Sequence, residues 1–157
     1  RLDFNLTGSP EQLASLKDAL GGDWSKIELI EDPFPDEPGR EWVVWQDRLE
    51  TAFAADRVAC PAAKWSVYKP AIDLQPPTHS PAFTTSYMDH AIGQLWAAYC
   101  AASATPDQTC GLLTHPLFEP DPFFDRLRTN DTRLAPPDGT GLGFDDLLDA
   151  LPWTPLT

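Results

Sequence analysis

The sequence predicts an α/β fold in which helices cover a parallel sheet of the barrel type. Three observations carry this. Apolar stretches of strand length alternate with segments of helical periodicity through much of the chain. Four of those stretches, RLDFN (1–5), ELIEDP (28–33), FAAD (53–56) and SVYKP (66–70), run into a polar residue as they end: Asp3, Glu31, Asp56 and Lys69. With 157 residues, 42% of them hydrophobic, the chain is long enough for one domain with a real core, taken as 1–157.

In chain order, RLDFN is a strand end. SPEQLASLKDALGG (9–22) is a helix with both ends marked: Ser9 as N-cap, Pro10 in the first helical position, Gln12 completing a capping box, and Gly21 as the stop. Leu13, Leu16 and Leu20 recur at helical spacing. KIELIED (26–32), closed by Pro33, fits a buried parallel strand. A Pro-rich acidic loop (31–40) leads to a helix, REWVVWQDRL (40–49). Strands follow at TAFAAD (51–56), KWSVYKP (64–70) and FTTSYMD (83–89). HAIGQLWAAYCAAS (90–103) is a helix with Ile92, Leu95, Trp96 and Tyr99 on one stripe. GLLTHP (111–116) is a last strand, LAPPDGTGLG (134–143) a loop, and GFDDLLDAL (143–151) a final helix.

Two connections are too short for this pattern. Twelve residues separate Asp56 from Lys69 and fourteen separate Lys69 from Thr84, the latter including four prolines. Neither holds a helix and the next strand comfortably, so either helices are lost or shrunk there or the barrel is irregular on that side.

The net charge of −13 argues against nucleic acid and anionic membranes as partners. Cys60, Cys100 and Cys110 are an odd count with no short-spaced pair, which suits reduced thiols and a cytoplasmic protein. No apolar run is long enough to span a membrane. Arg1 enters a strand at once without an initiating Met, so the N-terminus of a longer protein is expected to be missing.

Carboxylate oxygens suit a hard cation such as Mg²⁺, which keeps open positions for water or substrate. Asp3, Glu31 and Asp56 at strand ends would point to one barrel mouth. Acids past strand ends also serve as caps and solvated loop residues in any α/β protein. Lys69 at a strand end near a metal can act as base, acid or positive stabiliser, or it can be a surface lysine on an edge strand. His79, His90 and His115 lack metal-ligand spacing, and a structural role fits His90 best.

Taken together, these stretches resemble the enolase superfamily. RLDFN resembles its D-x-N metal motif, LIEDP its I-E-x-P motif, AADR its third metal-ligand strand, and VYKPA the lysine strand of the muconate-cycloisomerase and o-succinylbenzoate-synthase branch. TTSYMDHAIGQ (84–94) and GLLTHPLFEPD (111–121) resemble the seventh and eighth strands of that branch. The resemblance implies a partial TIM-type (β/α)8 barrel, roughly strands three to eight, lacking the N-terminal capping domain. It implies Mg²⁺ as cofactor on Asp3, Glu31 and Asp56, with Lys69 catalytic through its charge and Asn5, Ser86 and Asp89 touching substrate. It implies a small-molecule carboxylate substrate and a Mg²⁺-assisted syn-elimination of water via an enediolate in menaquinone biosynthesis. Racemisation of N-acylamino acids, epimerisation of dipeptides and a non-catalytic barrel fragment are the alternatives. In the family the proton-abstracting lysine lies before RLDFN, so the chain alone is expected to be inactive and to pair with a complementary N-terminal segment or with itself.

Overall fold

The chain's buried strands are apolar on both faces, as a parallel strand covered on both sides must be. The structure, a computed structural model, describes residues 1–36, 39–57, 59–78 and 81–155. Five strands form one sheet in sequence order: β1 (Leu2–Asp3), β2 (Leu29–Glu31), β3 (Ala52–Ala55), β4 (Trp65–Tyr68) and β5 (Ala82–Thr84). β1 to β4 are parallel; Asp3 stands opposite Glu31, Glu31 opposite Ala54, and Ala54 opposite Trp65. The chain divides into two compact units, Arg1–Tyr68 with Pro77–Phe83, and Lys69–Pro76 with Thr84–Thr157.

In the first unit, α1 (Pro10–Leu20) joins β1 to β2 and α2 (Arg40–Leu49) joins β2 to β3. Ser9 caps α1, its Oγ accepting the Gln12 backbone N–H at 3.3 Å, while its own hydroxyl donates to Glu11 and not to Gln12. The helix-side core packs Leu13, Ile30, Phe34, Trp42, Leu49 and Phe53. Phe34, Trp42 and Phe53 meet edge to face, with ring centroids 5.7–6.5 Å apart. The opposite face of the sheet packs Leu29, Ala54, Val67 and Phe83. Arg1 stacks over the Phe83 ring at 4.2 Å and pairs with Glu28 at 2.9 Å. β1 and β5 are the outermost strands of the sheet order, so that contact requires the sheet to curl on itself.

No helix fills residues 56–64 or 69–81 among the described residues, so the expected helices are lost. Gln46 of α2, 2% exposed, holds the first of these connections. Its Nε2 donates to Ala62 O at 2.8 Å and its Oε1 accepts Phe53 N–H at 2.9 Å. One side-chain amide thus satisfies backbone groups where the connection is irregular.

In the second unit, α3 (Ala91–Ala104) packs on Phe123, Leu127 and Phe144 through Ala91 and Leu95. The expected stripe is half right. Leu95 is buried, but Trp96 and Tyr99 are 44% and 61% exposed and stack on each other. The buried positions are Ala91, Gln94, Leu95, Ala97, Cys100 and Ala101, because small side chains let the helix approach its neighbours closely. The expected strand at 111–116 shrinks to a single parallel bridge between Thr85 and Gly111, followed by a 3₁₀ turn at His115–Leu117. The fully buried Gln94 amide secures this segment: in the orientation that satisfies its neighbours, its nitrogen donates to Leu112 O at 2.8 Å and its oxygen accepts His115 N–H at 3.1 Å.

The 134–143 stretch is not all loop. It opens in β7 (Arg133–Ala135), which forms an antiparallel hairpin with β6 (Arg128–Asn130). The final helix is shorter than expected, α4 (Asp145–Asp149), and Arg126 pairs with its Asp146 at 2.5 Å. Among the described residues, Cys60, Cys100 and Cys110 form no disulfide. No helix among the described residues is long and apolar enough to cross a membrane.

Candidate metal centre at the strand ends

Parallel in-register strands bring their C-terminal residues side by side. Asp3 and Glu31 are register partners, and Asp56 lies two residues beyond Ala54, the partner of Glu31. Glu31 follows Leu29 by two, so it continues the face on which Leu29 and Ala54 pack. Three hard oxygen donors on adjacent strand ends are chemically suited to Mg²⁺. Their side chains are not gathered into a ligand set: among the described residues no group of three or more His, Cys, Asp or Glu stands close enough to hold a metal ion.

The loops behind these residues are fixed tightly. Phe4 N–H donates to Glu31 O at 3.1 Å, Leu6 N–H to Asp32 O at 2.8 Å, and Asp32 N–H to Ala54 O at 2.9 Å. Asp3 accepts from Asn5 twice, the backbone N–H on Oδ1 at 2.8 Å and Nδ2 on Oδ2 at 3.1 Å. Asn5 Oδ1 in turn accepts from Arg57 Nε and Nη2 at 3.1 and 2.5 Å.

Asp32 is the residue that sequence reasoning passed over. It is 1% exposed at φ 41, and its two oxygens accept the backbone N–H groups of Asp56 and Arg57, each at 3.0 Å. Burial pushes its carboxyl above the ordinary value; those two backbone bonds pull it down, and the Asp56 and Asp3 charges push it up again. The available signal was an acid between Glu31 and Pro33 at the point where a strand must turn, since Asp tolerates left-handed backbone.

The other candidates belong to the second unit. Lys69 is half-buried; its backbone N–H donates to Asp73 Oδ2 at 2.7 Å, and its ammonium lies 5.8 Å from the centre of the Tyr87 ring. Ser86 is buried, with its hydroxyl 3.1 Å from that of Thr114 and its backbone N–H on Gly111 O. Asp89 is half-buried against Gly93, and its Oδ1 has no hydrogen-bond partner. His90 caps α3, its ring against Phe123 and Phe124 and its Nε2 3.4 Å from Asp121, which is a structural role. His79 lies outside the described residues.

Comparison with known proteins supplies the family. No protein-family model matches the chain. An o-succinylbenzoate synthase of Bdellovibrio bacteriovorus is 31% identical over 177 residues, spanning 98% of this chain and 52% of that protein. The aligned span exceeds the chain's 157 residues, so the relative holds residues inside it that this chain lacks. The chain spans about half the length of this curated relative. The solved muconate lactonizing enzyme of Pseudomonas putida superposes with a TM-score of 0.65 at 22% identity, over 90% of this chain and 45% of that one. A dipeptide epimerase from Enterococcus faecalis superposes with a TM-score of 0.62 at 17% identity, over 78% and 42%. These structures show the fold, and the relative in sequence joins it to a lineage: the chain is an enolase-superfamily C-terminal barrel part, homologous to o-succinylbenzoate synthase.

Proposed function

We propose that this chain forms the strand-end half of the active site of an o-succinylbenzoate-synthase-like lyase. Its reaction is the syn-elimination of water from a cyclohexadiene carboxylate, a step of menaquinone biosynthesis in the cytoplasm. The observation that supports it most is the 31% identity extending over 98% of the chain. On this reading Asp3, Glu31 and Asp56, which stand at adjacent strand ends without being gathered into a ligand set, are the residues that would hold Mg²⁺. When bound, the ion supplies Lewis-acid stabilisation of the charge that develops on the substrate carboxylate as the adjacent proton leaves.

The chain's own residues divide the remaining work. Asn5 orients the Asp3 carboxylate through its two hydrogen bonds. Asp32 fixes the backbone at Asp56. Lys69, half-buried, offers a positive charge to the developing anion, and partial desolvation strengthens that interaction. Ser86, two residues beyond β5, and Asp89, two residues before α3, would be polar contacts for substrate. Abstraction of the proton falls to a base other than Lys69.

The test is to assay the protein that carries this chain for Mg²⁺-dependent dehydration, with N-acylamino acid and dipeptide substrates in parallel. Lys69→Ala is expected to cut turnover about 10²-fold or more, with an unchanged unfolding midpoint. Epimerisation without dehydration would replace the lyase with the second reading, the activity for which the E. faecalis neighbour is named. Absence of both activities would overturn the enzyme reading.

A further inference from the structure

Lys69 and Tyr87 meet across the connection between β4 and β5. The Lys69 ammonium stands 5.8 Å from the centre of the Tyr87 ring, within reach of a cation–π contact. Both backbones are held. Lys69 opens a tight turn: its carbonyl accepts the N–H groups of Ile72 and Asp73 at 2.9 and 2.8 Å, and the Asp73 carboxylate accepts the Lys69 N–H at 2.7 Å. Tyr87 follows Ser86, which is buried and donates its N–H to Gly111 O at 3.0 Å. It precedes Met88, which turns the chain at φ 53. The Tyr87 ring is 54% exposed, so core packing does not account for its place.

We infer that Tyr87 is a positioning residue for the Lys69 ammonium, acting through the face of its ring. A lysine stem is long and flexible, and its charge sits at one point, so it acts at a fixed place only when something holds it. A carboxylate would hold it by neutralising it. An aromatic face attracts a cation through its quadrupole and brings no net charge. With the ring as holder, the ammonium keeps its charge and N–H donors for carboxylate oxygens. A charge fixed in advance stabilises a developing anion without rearrangement at the moment of reaction.

The inference rests on the reading of Lys69 as the charge that stabilises that anion, and its test keeps the two apart. The protein that carries this chain is reductively methylated with isotope-labelled formaldehyde, which leaves lysines charged. The dimethylammonium signal of Lys69 is identified by its loss in Lys69→Arg. A ring face shields what lies above it, so this signal should sit upfield in the wild type and in Tyr87→Phe, and move downfield in Tyr87→Leu. Turnover is measured on the unmethylated proteins. Tyr87→Leu should lower kcat for dehydration about two- to fivefold, the size of an exposed cation–π contact, with KM nearly unchanged. Tyr87→Phe should keep the wild-type rate, and both variants should keep the unfolding midpoint, since the side chain is exposed. A Lys69 signal unmoved in Tyr87→Leu overturns the contact. A signal that moves while kcat stays at the wild-type value overturns the positioning role, provided Lys69→Ala is impaired. Unimpaired turnover in Lys69→Ala overturns the reading of Lys69 and this inference with it. A wild type that epimerises dipeptides without dehydrating overturns the lyase reading alone, and the same kcat comparison then decides the role of Tyr87 on that substrate. A protein with neither activity overturns the enzyme reading and the role of Tyr87 together.

Discussion

Gly93 leaves the space that the Asp89 carboxylate fills. A Cβ at Gly93 would stand 2.1 Å from Asp89 Oδ2 and 2.4 Å from its Cγ. Inside a helix, Gly→Ala ordinarily stabilises by about 1 kcal/mol. Here Gly93→Ala should lower stability, because the whole carboxylate must move. Asp89 Oδ1 already lacks a partner, so Asp89→Ala should cost little. The double variant should regain the usual alanine gain. A chemical-denaturation cycle checks this, and strictly additive single effects would refute the coupling.

Gln46 and Gln94 each hold an irregular segment to a helix. Gln46→Ala orphans the buried Phe53 N–H and releases Ala62 O, and a loss of about 1–3 kcal/mol is expected. Gln94→Ala should cost a similar amount by freeing the Leu112 and His115 backbone groups. Hydrogen exchange localises the effect: the Phe53 amide should lose protection in the first variant and the His115 amide in the second.

Phe53 is fully buried and meets Phe34 and Trp42 edge to face. Phe53→Ala should destabilise by about 3–5 kcal/mol. Trp96→Ala removes a larger side chain but should cost less than about 1.5 kcal/mol, since only its stack on Tyr99 and partial burial are lost. Equal losses in urea titrations would show that the α3 face has been assigned wrongly.

Asp32 sets a pH dependence. Burial raises its carboxyl in the folded chain, so the folded state holds that proton more tightly than the unfolded state. The resulting stability is fully present below the ordinary Asp value of about 3.9 and is lost as pH rises through the raised folded value. Asp32→Asn cannot titrate at this position. The stability difference, wild type minus variant, should therefore fall as pH rises through that window. A difference that grows with pH would mean that the two backbone N–H bonds to the carboxylate outweigh its burial.

The local elements were legible because their causes are local. Ser9, Pro10 and Gly21 mark α1 within a few residues, and the run at 40–49 became α2 with the same bounds. The strand-end residues were legible because each closes an apolar run, and parallel register then sets Asp3 beside Glu31. The two short connections were also evident, since fourteen proline-rich residues cannot hold both a helix and a strand.

Other features depended on what each surface meets. Periodicity marks apolar positions on α3 but cannot say which face finds a partner. Ala91 and Ala97 pack while Trp96 and Tyr99 face solvent. The hairpin of β6 and β7 is mostly exposed, so it lacks the alternation by which a half-buried strand is recognised. Sequence by itself determined the helix caps, the parallel strands and the acids at their ends, since nearest-neighbour chemistry sets these. Tertiary structure alone decided that Asp32 is buried beneath Asp56 and Arg57 and that Arg57 reaches Asn5. Those contacts join strand ends far apart in the chain, and only the folded sheet brings them within hydrogen-bonding distance.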